Sequence, residues 1–295
     1  MSNTLLVTGA AGQLGQRVIH HLLETQKVAP GSIVAATRDP AKLSALAAKG
    51  VVVRKADFDD AATLDAAFAG VDRLLVISTD ALDTPGKRLA QHSVAIAAAK
   101  KAGVKHILYT SMCSPDKSLV TFAPDHLGTE NAIKASGLGY TILRNAWYID
   151  NFLMSLPHNL STGQWYTSTG GGRVAYISRE DCGRAIAAAL ASDTTASAIY
   201  SLTGDVATSI EDVAATVTSV VGKPLAVVQV SDEQLTGGLS GAGLPKFLVD
   251  MLVSADANIR AGNFDLVTGD FKALTGREPE SLKAFFEEHK AALAG

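Results

Sequence analysis

The stretch VTGAAGQLG, Val7 to Gly15, decides the fold. Its three glycines fall as G-x-x-G-x-x-G. It follows the apolar run Thr4–Val7 directly and opens a helical pattern with Leu14, Val18 and Leu22 on one face. A strand, a glycine turn and an amphipathic helix in one βαβ unit make a dinucleotide-binding fingerprint. Gly9 makes the tight turn, Gly12 lets the backbone approach a pyrophosphate, and Gly15 lets the helix pack closely on the strand. The phosphates would meet free N–H groups at the positive end of that helix. An ordinary glycine-rich turn is the plain alternative, because 26 glycines produce such spacings by chance.

Outward from the motif, short β-branched runs alternate with alanine-rich helical patterns. The runs are 4–7, 33–36, 51–55, 74–77, 106–109 and 140–143, and helices are predicted over 13–25, 40–48, 60–69, 86–102 and 125–136. This rhythm implies an α/β, Rossmann-type doubly wound parallel sheet with helices on both faces. Asp39-Pro40 reads as an N-cap followed by proline at the first helical position. Gly70, Gly103 and Gly137 stand where helices stop. Beyond residue 150 the rhythm loosens. A loop at Gly170-Gly171-Gly172 precedes a predicted strand, Val174–Ile177. A helix over 178–191 and a strand over 199–202 follow. Thr208 and Glu211 have capping-box spacing. Residues 231–262 read as an amphipathic cover over a pocket. The expected division is a cofactor domain over 1–150 and a smaller, partly interleaved substrate lobe over 151–295, packed without a hinge.

Bulk properties exclude several classes. With 47% hydrophobic and 19% charged residues, the 295-residue chain has an ordinary globular composition. A net charge of −3 gives no electrostatic case for a nucleic-acid partner. Cys113 and Cys182 have no metal-ligand spacing and read as buried reduced thiols. No apolar run is long enough to span a bilayer, and no secretory leader is visible. Hence the expected setting is the cytoplasm, with a small-molecule substrate. A homodimer is compatible with the chain, though no unpaired apolar stripe marks an interface.

NAD-binding folds usually place an acidic residue at the end of the second strand. Here that tip reads Thr37-Arg38-Asp39, and Asp39 is explained by its capping position. A guanidinium there suits a 2′-phosphate, which points to NADPH; a solvated surface arginine is the alternative. Asp57-Phe58, after the third strand, are placed to flank an adenine. Ile77, Ser78 and Thr79, after the fourth, would line the cofactor.

The usual proton-donating pair is missing. None of the six tyrosines (109, 140, 148, 166, 176, 200) has lysine four residues later. At this point the resemblance becomes specific. VTGAAGQLGQRVIHHLL, VAATRDPAKLSALAAKGVVVRKADFDD, GVKHILYTS, DHLGTENAI, YTILRNAWYIDNF and LTGREPESLKAFF are similar to the NmrA-like, atypical short-chain dehydrogenase group, near its quinone- and dye-reducing members. The similarity spans essentially the whole chain. It implies hydride transfer from NADPH to a flat conjugated acceptor. It assigns cofactor contacts to Gly9, Ala10, Ala11, Gly12, Gln13 and Leu14, to Arg38, to Val76, Ile77 and Ser78, and near Val174. The substrate-facing turn becomes Asn145, Ala146, Trp147, Tyr148, Ile149 and Asp150. His126 and Glu130 fall where relatives carry Lys-x-x-x-Glu, Phe122 on the usual tyrosine, and Ser111 at or near the usual serine. Ala11 stands where threonine is common.

The chemistry agrees with that implication. A quinone is already electrophilic, so its reduction needs position and an apolar wall more than a strong acid. Trp147 and Tyr148 have rings to stack on the acceptor, and Asn145 an amide to donate to its oxygen. Core aromatics at the junction, a surface His126–Glu130 pair, and exposed His20-His21 are the plain alternatives. A non-catalytic NADP(H)-binding redox sensor is the competing function.

Overall fold

The structure, a computed structural model, describes residues 3–294. Strands β1 (Leu5–Val7), β2 (Ile33–Thr37), β3 (Val52–Lys55), β4 (Arg73–Val76), β5 (His106–Met112) and β6 (Gly139–Asn145) alternate with helices α1 (Gln13–Glu24), α2 (Ser44–Ala48), α3 (Ala61–Phe68), α4 (Lys87–Lys101) and α5 (Ala123–Ser136). There follow α6 (Phe152–Thr162), β7 (Gln164–Thr167), α7 (Arg179–Ala191), β8 (Ala198–Leu202), α8 (Ile210–Val221) and β9 (Ala226–Gln229). The chain ends in α9 (Asp232–Gly241), α10 (Lys246–Arg260), α11 (Asp270–Thr275), α12 (Leu282–Glu288) and α13 (Lys290–Ala294). The main sheet has seven strands in the order β3-β2-β1-β4-β5-β6-β8, and every pair is parallel. The order reverses at β1, which has β2 on one side and β4 on the other. A crevice therefore opens beyond the carboxyl ends of these strands, where ligands bind in open α/β sheets.

Alternation along β1 feeds two cores. Leu5 and Val7 face α1 and α7, while Leu6 faces α3 and α4. On α1, Leu14, Val18, Ile19 and Leu22 are buried, each burial stabilising by roughly 1.5–3 kcal/mol. A third cluster, around Phe152, Tyr176 and Phe286, fills the smaller lobe. The 150 boundary does not divide the sheet, since β8 joins it beside β6 and α7 packs on α1. That helix pair is close. A Cβ on Gly183 would lie 2.7 Å from Cβ of Arg17. At the other end of α7, buried Arg73 donates to the carbonyls of Ala189, Leu190 and Thr194 at 2.8–3.1 Å.

Three local expectations differ from the structure. Val174–Ile177 is no strand, because its N–H groups go to three separate segments: Val174 to Thr208, Ala175 to Phe264 and Ile177 to Trp147. The capping box is Ser209–Asp212 rather than Thr208–Glu211, because Thr208 is already bridged to Val174. His21 is buried, with Nε2 2.7 Å from Glu180 Oε1 and Nδ1 2.9 Å from Thr25 Oγ1. A small second sheet, β7 with β9, had no counterpart in the sequence reading. Within 231–262, α10 binds the loop before α5: Ser254 accepts from Thr121 N (3.1 Å) and Asn258 from Leu119 N (2.7 Å). No helix among the described residues is long and apolar enough to cross a membrane.

Candidate active site

The crevice is a cleft of about 380 Å³, within the range of small-ligand sites. Of the expected cofactor residues, Gly9, Ala11, Gly12, Arg38, Asp57, Phe58, Ile77 and Ser78 line it. Gly9 turns the chain with φ +59°. A Cβ on Gly15 would meet Gly9 O at 2.3 Å and Ala10 Cα at 2.8 Å. The helix start must therefore be glycine for α1 to sit so near the turn. No side chain caps α1, and its first turn carries no acid. The amides of the first helical turn thus lack a side-chain acceptor just after Gly12, which lines the cleft, the arrangement that receives phosphate. Ala10 is committed elsewhere, its N–H bonding Ala36 O at 3.1 Å. Val76 lies in the sheet core, and Val174 in the core of the smaller lobe.

The second-strand tip brings two cations to the cleft, Arg38 and Lys42. Asp39 Oδ1 accepts from Ala41 N at 3.2 Å, so the one acid at the tip caps the turn carrying Lys42. Arg38 stands 4.0 Å from Asp80, and both are exposed. Lys42 lay outside the sequence reading; its signal was the four-residue spacing from Arg38. Three side chains fix the segment after β4. Thr8 Oγ1 accepts from Ile77 N (3.0 Å), Thr110 Oγ1 from Ser78 N (2.9 Å), and His92 Nε2 from Thr79 N (3.0 Å). Accepting there leaves the His92 proton on Nδ1, 2.9 Å from Thr129 Oγ1. Burial, then the charge of Arg88, holds the His92 pKa down at about 3, which keeps the ring a neutral acceptor.

At the turn expected to face the acceptor, β6 ends at Asn145, and the chain runs on to Asp150. Asn145 Nδ2 donates to the Tyr148 hydroxyl at 2.7 Å, so this N–H is committed within the protein. Its Oδ1 is buried without a partner among the described residues. Burial pushes the Tyr148 pKa well up, which keeps the phenol protonated. The Arg179 guanidinium lies 4.5 Å over one face of that ring. Trp147 tilts against Phe264 at 5.5 Å. Ala146 is buried in the core beside α1 and α7, and Ile149 in that of the smaller lobe. Asp150 Oδ2 accepts from Arg179 N at 2.8 Å, and the carboxylate also reaches Arg17.

Two further expected residues face inward. Ser111 donates to Glu130 Oε1 at 2.7 Å, and Arg144 grips both Glu130 oxygens at 2.7 and 2.8 Å. Glu130 is therefore no partner of His126. His126 is buried, with Nδ1 2.8 Å from the Tyr109 hydroxyl and its ring edge-on to Phe122. Burial draws the His126 pKa far down, so it holds no spare proton at neutral pH. Both cysteines are buried and unpaired; burial pushes the Cys113 thiol up to about 12.

Fold and site together define a doubly wound dinucleotide-binding protein without the usual tyrosine–lysine pair. The chain belongs to the NmrA-like family, whose sequence profile matches residues 1–261. It is 40% identical over 262 residues to quinone oxidoreductase 2 of Escherichia coli (strain K12), covering 88% of this chain and 90% of that protein. It is 30% identical over 293 residues to the NAD(P)H azoreductase of Xenophilus azovorans, covering 98% of each. Among solved structures, the E. coli NADPH-dependent quinone oxidoreductase complexed with NADPH superposes with a TM-score of 0.91 at 38% identity, over 96% of this chain and 98% of that one. The Citrobacter sp. triphenylmethane reductase complexed with NADP(H) gives 0.90 at 34% identity, over 97% and 99%.

Proposed function

We propose that the protein is an NADPH-dependent reductase of quinones and similar flat conjugated acceptors. The observation that carries this reading is one cleft with an uncapped helix start and two cations at the second-strand tip, beside an aromatic turn that lacks a lysine-activated tyrosine. The relatives named above support it through their own activities.

The residues fit the cofactor: amides at the start of α1 are open to its pyrophosphate, and Arg38 and Lys42 to a 2′-phosphate. When bound, NADPH supplies the hydride. Asp57 and Phe58 flank the adenine end, and Thr8, Thr110 and His92 hold residues 77–79 in place. Tyr148 keeps its proton at a hydroxyl already oriented by Asn145. That proton, or one from solvent, completes reduction of an acceptor whose anion is a good leaving state. Trp147 and Phe122 supply apolar surface that excludes water. Ser111 and His126 belong to the supporting scaffold. The division into a cofactor domain through 150 and an acceptor lobe from 151, with α7 and β8 returning to the first, is part of the proposal. The proposed partner is a small-molecule acceptor, with no nucleic acid and no membrane, and a homodimer is compatible with the assignment. A reduced cofactor and free buried thiols suit the cytoplasm.

The test is NADPH oxidation, followed by absorbance, with 1,4-benzoquinone or a naphthoquinone. Turnover with NADPH preferred over NADH is expected. Tight NADPH binding with no turnover across several quinones and dyes would refute it.

A further inference from the structure

Helix α4 has an apolar stripe, Ala95, Ile96 and Ala99, that packs on the sheet. Carried back toward its start at helical spacing, the same stripe meets His92, Gln91 and Arg88, all of them buried. His92 is explained by the bonds already described. Gln91 Nε2 reaches Asp59 at 3.1 Å. Arg88 is not explained. It is only 6% exposed, yet neither its Nε nor its Nη1 has a hydrogen-bond partner among the described residues. The Phe122 ring lies 5.3 Å below the guanidinium. Asp80, Asp125, Tyr109 and Tyr148 are near enough to feel its charge, but none of the ion pairs among the described residues includes it. Gln91, on the same stripe, lines the cofactor cleft, and His92 holds Thr79 of its wall, so Arg88 stands beside that cleft, over Phe122, which is assigned above to the acceptor's apolar wall. A buried cation with unpartnered donors is costly until an anionic group pairs with it.

We propose that Arg88 is a catalytic residue for this reduction, receiving the acceptor oxygen on which negative charge accumulates. The inference rests on the quinone-reductase reading above. The quinone gains a hydride, one proton with two electrons, as NADPH is oxidised to NADP⁺. One quinone oxygen becomes a phenolate, and a proton from solvent then gives the hydroquinone. The Arg88 guanidinium receives that phenolate oxygen. Preorganised donors at a developing oxyanion act without reorganisation, which is where they contribute most.

Three measurements on Arg88→Met and Arg88→Lys test this, each on protein saturated with the cofactor. First, 4-nitrophenol is titrated into the NADP⁺ complex and its ionisation followed by absorbance. Wild type is expected to lower the bound phenol's pKa by about one unit or more, R88K to keep part of the shift, and R88M none. Second, kcat with 1,4-benzoquinone is expected to fall roughly 100-fold in R88M, with NADPH affinity within about threefold. Third, the Tm of R88M should match or exceed wild type, because a buried unpaired charge has been removed. The proposal is overturned if R88M loses only affinity for a sulfonated naphthoquinone, since Arg88 then reads a fixed anion. A parallel loss of NADPH affinity overturns it in favour of the cofactor. A lowered Tm, with R88K as impaired as R88M and no phenol shift in wild type, makes Arg88 structural. If wild type reduces no quinone at all, the underlying reading fails, while the phenol titration still reports whether Arg88 receives an anion.

Discussion

Replacing Arg38 with alanine should cost NADPH far more than NADH. A 2′-phosphate carries close to two negative charges at neutral pH. At about 4 Å, one unit pair is worth roughly 1 kcal/mol in water and roughly 4 at an effective dielectric near 20. Arg38 has a side-chain exposure of 69%, so the lower half of that range applies. Its contact with Asp80 is at 4.0 Å between exposed groups, and losing such a pair gives back only about 0–1 kcal/mol. The balance is about 2 kcal/mol, a factor of about 30 in Kd. NADH presents a neutral hydroxyl, and its Kd should change less than about threefold. Because the site is exposed, raising salt toward ~1 M, where the Debye length is about 3 Å, should shrink the NADPH preference of wild type. Calorimetric titration of both cofactors at two salt concentrations measures all of this. Equal losses for the two cofactors, or a preference indifferent to salt, would show that Arg38 does not read the phosphate.

Other consequences are sharp enough to measure. Gly15→Ala forces a Cβ to within 2.3 Å of Gly9 O; it should lower stability by about 1–3 kcal/mol, visible in a thermal melt, and a melt equal to wild type would contradict the close packing. Glu130→Gln removes the charge and one of the two oxygens that accept from Arg144 and Ser111, and should cost about 2–4 kcal/mol in chemical denaturation. Burial alone would raise the Glu130 pKa, but hydrogen bonds from Arg144 and Ser111 and the nearby positive charges outweigh it and hold the carboxyl below 4.5. A depressed pKa stabilises above the unfolded value and is lost on acidification, so the wild-type advantage over E130Q should shrink below about pH 4.5; an advantage constant with pH would refute the ionised assignment. Tyr148→Phe should lower kcat with a quinone roughly tenfold to hundredfold at unchanged NADPH affinity; unchanged kinetics in both Y148F and Asn145→Ala would remove that turn from the site.

The frame was legible because local signals agreed with it. Asp39-Pro40 does cap a turn, and Gly103 and Gly137 do take positive φ where helices end. Failures came where partners are remote in sequence. Val174–Ile177 has strand composition, but its donors find three unrelated segments, which no periodicity reveals. His21 was readable: seven residues after Leu14, it sits on the buried face of α1. The same spacing along α4 placed Arg88 inside, a polar residue on a core stripe. Ser111 illustrates the opposite limit. Its position resembles a catalytic one, and only the fold shows its hydroxyl given to a buried carboxylate.

The fit of Gly183 against Arg17 has a bearing on how acceptor choice can change. It locks the helix that the proposed function sets against phosphate to the helix whose first residue, Arg179, backs Tyr148. On that reading donor and acceptor seats share one mount, built when the chain folds. A jig of this kind tolerates new fittings. Exchanging side chains along 145–150 should alter which flat molecule lies against the donor while the donor itself keeps its station. Relatives of similar frame that act on quinones, azo compounds and triphenylmethane dyes are what such interchangeable tooling would be expected to produce.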